Sequence, residues 1–215
     1  MPRPYWVLSS LLFFAACTGG NDKQSLPVLG PMEITANQKG GFDTTFFDFP
    51  TFNWIDQDSL PFTPDSLNGQ LMLVDFFFTT CPTICVDMRL QLMRVYGVYG
   101  DDSRMRIVSH TIDSDYDRPL VLKAYAKECG VNNRNWLFVN GPADEVYNVA
   151  KSAYLSMALR DSSAAGGFLH SGTFVLLDKA KKIRGVYDGT NAAEVDQLIS
   201  DIKILLGEQF PASER

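Results

Sequence analysis

Residues 71–96 read LMLVDFFFTTCPTICVDMRLQLMRVY, and the pattern of this stretch is the strongest indication of the fold. Its first part, Leu71 to Phe78, is apolar except for Asp75. An apolar run of this length is typical of a central strand that is covered on both faces of its sheet. Apolar residues then recur at spacings typical of one face of a helix. These residues are Met88, Leu92, Val95, Tyr96 and Tyr99. The stretch therefore predicts a buried strand that leads directly into an amphipathic helix.

Two cysteines lie at the junction of this strand and this helix, in the sequence Cys81-Pro82-Thr83-Ile84-Cys85. Pro82 suits the first helical position because its φ is fixed and it has no amide hydrogen, so we expect Cys81 at the helix cap. A helix start carries unpaired amides and about half a positive charge, which favour a thiolate over a thiol. Cys85 follows one turn later on the same face, within range of a disulfide. When reduced, the two sulfurs suit soft metal centres such as Cu(I), zinc or an iron–sulfur cluster.

The composition fits one globular domain and argues against several classes of protein. The chain has 215 residues, of which 46% are hydrophobic and 20% are charged, which is enough for one good core. A formal net charge of −6 argues against a nucleic-acid-binding surface. Four cysteines are too few for a disulfide-dense scaffold. The sequence also shows no phosphate-binding glycine loop, Ser–His–Asp set or zinc quartet.

The first residues have the features of an export signal. Arg3 supplies a positive charge, and residues 5–16 are mostly apolar but too few to span a bilayer. The segment ends in FAAC at positions 14–17, which resembles a bacterial lipoprotein signal whose cysteine, here Cys17, becomes the lipidated first residue of the mature chain. An uncleaved membrane anchor and an ordinary secretory signal are the alternatives. All three place the protein outside the cytoplasm, where disulfides persist and a redox-active pair needs an external reductant.

The rest of the chain divides into a tether and one domain. Residues 18–45 mix Gly, Asn, Asp, Lys and Gln with few apolar positions, which predicts a flexible tether between the lipid on residue 17 and the domain. Residues 46–215 alternate predicted strands and helices and end in a hairpin followed by a helix. Because a cysteine pair lies at a strand-to-helix junction, this order predicts a thioredoxin-like mixed sheet with helices on both faces and a closing antiparallel hairpin.

Only two histidines are available as further ligands. His170 directly precedes the predicted strand 172–177, and in a thioredoxin-like sheet the loop that enters this strand faces the start of the cysteine helix. A set of Cys81, Cys85 and His170 can hold copper in both oxidation states, because thiolates suit Cu(I) and imidazole suits Cu(II). His110 lies inside a predicted strand, so we expect a hydrogen-bonded structural side chain.

Three other polar residues receive structural interpretations. Asp113 and Asp117 cluster near the end of a predicted strand, and we expect them to be loop and cap residues. Cys129 is a single cysteine near the end of a predicted helix, and we expect a buried or idle thiol.

Residues 46–206 resemble the SCO/SenC family, which consists of copper-handling proteins with a thioredoxin-like fold. The matching pieces are Val74 to Cys85 with its cysteine pair, Ile112-Asp113, Asp117-Arg118-Pro119, and His170-Ser171 before an apolar strand. The resemblance implies copper bound by Cys81, Cys85 and His170. The family often has an acidic residue just before the histidine, where this chain has Leu169. The loss of that neighbour predicts a less basic or less firmly oriented imidazole.

Two classes of function follow. The resemblance implies an extracytoplasmic, lipid-anchored metallochaperone of a bacterial cell envelope. It would deliver copper to, or maintain the thiols of, the binuclear copper centre of cytochrome c oxidase, so its partner is a copper-site subunit of that enzyme or another cuproprotein. The alternative is a thiol–disulfide oxidoreductase or redox sensor without obligatory metal, in which Cys81 attacks a partner disulfide and Cys85 resolves the mixed disulfide. The three-residue spacer counts mildly against the alternative, because ordinary oxidoreductases have two residues there.

Overall fold

A mixed sheet of seven strands forms the centre of the computed structural model, which describes residues 25–30, 32–37, 40–46 and 49–211. The strands within these residues are β1 (Met32–Ala36), β2 (Phe42–Phe46), β3 (Trp54–Asp56), β4 (Pro61–Phe62), β5 (Leu71–Phe77), β6 (Met105–Thr111), β7 (Trp136–Asn140), β8 (Ala158–Arg160), β9 (Phe168–His170), β10 (Thr173–Leu177) and β11 (Ile183–Asp188). The α-helices are α1 (Ile84–Tyr99), α2 (Pro119–Glu128), α3 (Ala143–Ala153) and α4 (Ala192–Gln209). Short 3-10 helices span Pro64–Leu67 and Ala165–Gly167. The strand order in the large sheet is β11-β10-β5-β6-β7-β3-β4.

Strand β5 lies in the interior of this sheet, as its apolar run predicts. It pairs in parallel with β6 and antiparallel with β10, and all of its residues are buried. Side chains alternate between the two faces of a strand. Phe77 stacks on Tyr125 of α2, whereas Phe76 contacts Tyr154 directly after α3. Helices therefore cover both faces, which confirms the predicted architecture, and β10 and β11 form the predicted antiparallel hairpin.

Two helices carry recognisable sequence signals at their ends. Helix α2 starts at Pro119 and ends at Glu128, and Gly130 then adopts a φ of 72°, which suits glycine. Helix α4 is capped by Asn191, whose side chain accepts a hydrogen bond from the amide of Ala193. The buried stripe of α4 includes the apolar residues Val195, Leu198, Ile202, Leu205 and Leu206.

Helix α1 begins later than predicted. Its first residue is Ile84 and its cap is Thr83, so Pro82 is not helical and Cys81 is not the cap. The amide of Cys81 instead donates a hydrogen bond of 3.2 Å to the carbonyl of Phe78, which closes a turn at the end of β5. Pro82 directly follows this turn, where its fixed φ and missing amide hydrogen are tolerated as readily as at a first helical position.

The predicted tether contains regular backbone structure that its composition does not signal. Strands β1 and β2 pair as an antiparallel hairpin, although Ile34 and Phe42 are 60% and 75% exposed. Leu29 pairs with Ile183 at the edge of the large sheet. Strand pairing satisfies backbone groups without apolar burial, which explains why composition missed it. The predicted signal, residues 1–17, and the predicted lipidation site Cys17 lie outside the described residues.

Residues 161–167 connect two short strands. Strands β8 and β9 form a separate antiparallel pair, and His170 is the last residue of β9.

Among the residues that the structure describes, no helix combines the length and the apolar character needed to cross a bilayer.

Candidate metal centre

Cys81, Cys85 and His170 meet just beyond the end of β5. Their two sulfurs and one ring nitrogen all lie within 4.8 Å of one another. Within the described part of the chain, this is the one group of three or more Cys, His, Asp or Glu residues that could hold a metal ion. The topology explains the convergence: the turn after β5 carries Cys81, the first turn of α1 carries Cys85, and β9 brings His170 from a position 85 residues further along.

The imidazole of His170 is held so that one nitrogen faces the sulfurs. Its Nε2 lies 3.2 Å from Sγ of Cys85, and its Nδ1 lies 3.1 Å from the carbonyl oxygen of Ser171. A carbonyl oxygen can only accept a hydrogen bond, so this contact selects the tautomer with its proton on Nδ1. The lone pair of Nε2 is then directed at the thiol pair, as a metal ligand requires.

Leu169 and His170 lie on opposite faces of β9. Side chains alternate along β9, so Leu169 is 40% exposed while His170 is buried. An acidic side chain at position 169 would therefore face solvent on the opposite side from the imidazole. The orienting contact comes instead from the backbone carbonyl of Ser171.

The two sulfurs have opposite acid–base character. The pKa of Cys81 is lowered, chiefly by a hydrogen bond from the Cys85 thiol and further by the amides of Thr83 and Cys85. The pKa of Cys85 is raised, because that hydrogen bond retains its proton and because the side chain is buried. The site thus combines a half-buried thiolate with a buried thiol. Amides at the start of α1 favour the thiolate, as predicted, although Cys81 lies outside the helix.

A buried acid that sequence reasoning did not assign to the site lies beneath it. Asp75 accepts a hydrogen bond of 2.5 Å from Ser109, whose oxygen also accepts one of 3.0 Å from Trp136 Nε1. Burial raises the pKa of Asp75 to about 7, against the smaller opposing effects of Ser109 and His170. Asp75 and Cys85 also line one cavity of about 10 Å³, which is about the space of one water molecule. The sequence signal that could have identified this residue is its position as the only charge in the apolar run Leu71 to Phe78.

Three side chains that the sequence analysis interpreted as structural lie outside the metal-binding group. Cys129 is a buried free thiol, as predicted. His110 is fully buried between aromatic rings, including those of Phe76 and Tyr154. Neither nitrogen of the His110 imidazole has a hydrogen-bond partner among the described residues. The expectation of a hydrogen-bonded side chain was therefore wrong. Burial lowers the pKa of His110 to about 3, so the ring is neutral. Asp117 is buried and bonded to Thr79 rather than acting as a helix cap, because Arg118 occupies the cap of α2.

Comparisons with known proteins identify related chains and folds. A family model described as SCO1/SenC matches residues 47–207. The SCO1 protein homolog of Bacillus subtilis is 26% identical over 163 residues, which cover 75% of this chain and 84% of that protein. A SCO1/SenC family lipoprotein from Bacillus anthracis superposes with a TM-score of 0.67 at 27% identity, covering 74% of this chain and 94% of the other. BsSco, described as a member of the Sco family of cytochrome c oxidase assembly proteins with a disulfide switch, superposes with a TM-score of 0.65 at 26% identity, covering 74% and 93%.

A copper-containing structure shares the same fold at lower identity. Arabidopsis thaliana ScoI with copper bound has a TM-score of 0.59 and 22% identity, covering 72% of this chain and 97% of that one. Together these neighbours confirm the predicted thioredoxin-like fold.

Proposed function

The chain belongs to the SCO1/SenC family, and we propose that it is a copper-binding protein that holds its ion between Cys81, Cys85 and His170. The observation that carries this proposal is the convergence of two sulfurs and an imidazole nitrogen within 4.8 Å. A single ion with bonds of roughly 2.0–2.3 Å can bridge donor atoms that are up to about 4.6 Å apart. The three donor atoms therefore need only small movements to share one ion.

The chemistry of the donors favours copper. Sulfur is a soft ligand that suits Cu(I), and the imidazole adds a donor that suits Cu(II). Cys81 already favours the thiolate, whereas Cys85 must lose its proton on binding, so metal uptake releases a proton. A relative with copper bound has the same fold, which supports this choice of metal.

We further propose that copper is the cargo of an assembly step outside the cytoplasm. The protein would pass copper to, or keep reduced the thiols of, the binuclear copper centre of cytochrome c oxidase. The description of BsSco as a member of a family of cytochrome c oxidase assembly proteins supports this role. The description of the Bacillus anthracis neighbour as a lipoprotein supports a lipid anchor on Cys17 that holds the domain at the bacterial cell envelope.

Copper titration of the reduced chain tests the proposed site. We expect one Cu(I) ion per chain in the wild-type protein and a much weaker affinity in Cys81→Ser and Cys85→Ser. His170→Ala should lose strong Cu(II) binding but keep much of its Cu(I) affinity, because both sulfurs remain. Cys129→Ala is the matched control, since Cys129 is a buried thiol outside the group. Unchanged Cu(II) affinity in His170→Ala would remove His170 from the site.

The asymmetry of the two sulfurs favours thiol–disulfide exchange as a second candidate function. The Cys81 thiolate is the more exposed sulfur and would attack one sulfur of a partner disulfide, releasing the partner's other sulfur as a thiolate. Cys85 would then lose its proton and attack Cys81, releasing the partner's second thiolate. The partner gains two electrons, and the Cys81–Cys85 disulfide forms. The disulfide switch described for BsSco supports this chemistry.

Turnover on a disulfide-bonded peptide from a copper-site subunit measures this second function. We expect reduction of the peptide by the wild-type chain and accumulation of a mixed disulfide in Cys85→Ser. A rate no greater than that of Cys81→Ser would exclude the exchange reaction while leaving copper binding intact.

A further inference from the structure

The turn that carries Cys81 is fastened by a carboxylate from a distant segment. Asp117 is fully buried and accepts a hydrogen bond of 3.0 Å from the Thr79 amide and another from the Thr79 hydroxyl. It also accepts one of 2.5 Å from the hydroxyl of Thr111, the last residue of β6. One side chain therefore joins the end of β6 to the residue two positions before Cys81.

Thr79 occupies the second position of the turn that places Cys81. The hydrogen bond from the Cys81 amide to the Phe78 carbonyl closes this turn. Because Thr79 is held at both its amide and its hydroxyl, its backbone and its side chain are fixed together. A shift of Thr79 would therefore move the turn that positions the Cys81 sulfur.

Asp117 is itself held in place by its own loop and by the end of β7. Its amide donates to the carbonyl of Asp113 at 2.9 Å, and its own carbonyl accepts from the side-chain amide of Asn140 at 2.8 Å. The same Asn140 amide donates to the carbonyl of Ser114 at 3.0 Å. Since Asn140 ends β7, hydrogen bonds run continuously from β7 through Asp117 to Thr79.

The three proposed ligands differ in how they are supported. Cys85 is in α1 and His170 is in β9, and these two side chains contact each other at 3.2 Å. Cys81 lies in neither a helix nor a strand, so its position depends on the turn. Cys81 is therefore the ligand with the least regular backbone, and its turn is the one that contacts the buried carboxylate of Asp117.

We propose that Asp117 is a positioning residue of the metal centre, which acts through Thr79 to place the Cys81 sulfur beside Cys85 and His170. This inference rests on the proposed function. The Asp117 carboxylate accepts its hydrogen bonds from Thr79 and Thr111 rather than from the ligands. Its removal should therefore change ligand placement and leave the ligand atoms themselves intact.

Variants of Asp117 in the full chain test this role. Asp117→Ala removes all three acceptor contacts, and we expect copper affinity to fall about 10-fold, the lower end for residues that orient metal ligands. Asp117→Asn should restore affinity to within about threefold, because its oxygen can accept from the Thr79 amide and Thr111 while its NH₂ donates to the Thr79 hydroxyl. Asp115→Ala is the matched control, because Asp115 lies in the same loop and its side chain is 88% exposed.

A second readout does not require copper. The wild-type chain and each variant are equilibrated with oxidised and reduced glutathione, and the Cys81–Cys85 disulfide is quantified by peptide mapping. Forming this disulfide converts one oxidised glutathione into two reduced molecules, so its equilibrium constant reports how closely the sulfurs are held. We expect this constant to fall about 10-fold in Asp117→Ala and to recover in Asp117→Asn.

The outcomes separate positioning from simple stabilisation. A folded Asp117→Ala with lower thermal stability but wild-type copper affinity and a wild-type disulfide equilibrium would overturn the proposal. If Asp117→Ala does not fold, Thr79→Val decides, because it removes only the hydroxyl contact and should shift both readouts in the same direction by a smaller factor. Wild-type values in Thr79→Val would then overturn it. If the wild-type chain binds no copper, the proposed function fails, whereas the disulfide equilibrium still tests the role of Asp117.

Discussion

Asp75 should make the stability of this protein depend on pH in a predictable way. The side chain is 2% exposed beneath the cysteine pair, and its hydrogen bond from Ser109 does not compensate for the loss of water. Burial raises the pKa of Asp75 from 3.8 to about 7. The folded state therefore holds a proton on this carboxyl at pH values where the unfolded chain has released it.

The sign and size of the effect follow from this difference. A carboxyl whose folded-state pKa is raised contributes stability that is fully present below the unfolded pKa and is lost as pH rises through the folded pKa. A difference of about 3 pKa units corresponds to about 4 kcal/mol. Asp75→Asn keeps a neutral side chain at every pH, so the wild type should lose about 4 kcal/mol of unfolding free energy relative to this variant between about pH 4 and pH 8.

Urea denaturation of the reduced, copper-free chain at several pH values measures this loss. The lowered pKa of Cys81 produces an opposite trend, but it is common to both proteins and cancels in the difference. Asp101→Asn is the control, because Asp101 is exposed and its replacement should leave the pH profile of the wild type unchanged. If the difference in unfolding free energy between the wild type and Asp75→Asn stays constant from pH 4 to pH 8, the pKa of Asp75 is not raised by burial.

Two further predictions concern the surroundings of the site and the edge of the sheet. Gly166→Ala places a Cβ within 2.8 Å of the Phe78 ring at a φ of 80°, whereas at Gly167, with a φ of 84°, a Cβ meets no other described residue within 4 Å apart from its chain neighbours. We expect a cost of about 1 kcal/mol for Gly167→Ala and a clearly larger one for Gly166→Ala in thermal denaturation, and equal costs would contradict the close packing. Arg184→Met leaves Asp178 buried without its cation, so urea denaturation should show a loss of about 3–5 kcal/mol. A loss below about 1 kcal/mol would mean that this ion pair is not maintained.

Features that depend on local sequence were predicted best. The apolar run from Leu71 identified β5, and the apolar spacing from Met88 identified α1. The cysteine pair and His170 were placed together because a strand-to-helix junction and the loop before the hairpin meet in any thioredoxin-like sheet. Their convergence followed from topology, not from the residue types alone.

Features that depend on tertiary contacts were missed. Asp117 lies 38 positions from Thr79, and no local pattern shows that its carboxylate is directed towards that turn. The start of α1 was misplaced because a proline is tolerated just before a helix as readily as at its first position. The lack of a hydrogen-bond partner for His110 among the described residues was not foreseen, because it depends on how the surrounding aromatic rings pack.

The most direct test is the copper content of the reduced full chain after anaerobic dialysis against Cu(I) and removal of weakly bound ions. We expect one copper per chain in the wild type and in Cys129→Ala, and almost none when Cys81 and Cys85 are both replaced by Ser. A wild-type chain that returns without copper, or a double variant that keeps it, would contradict the assignment of the metal to this site.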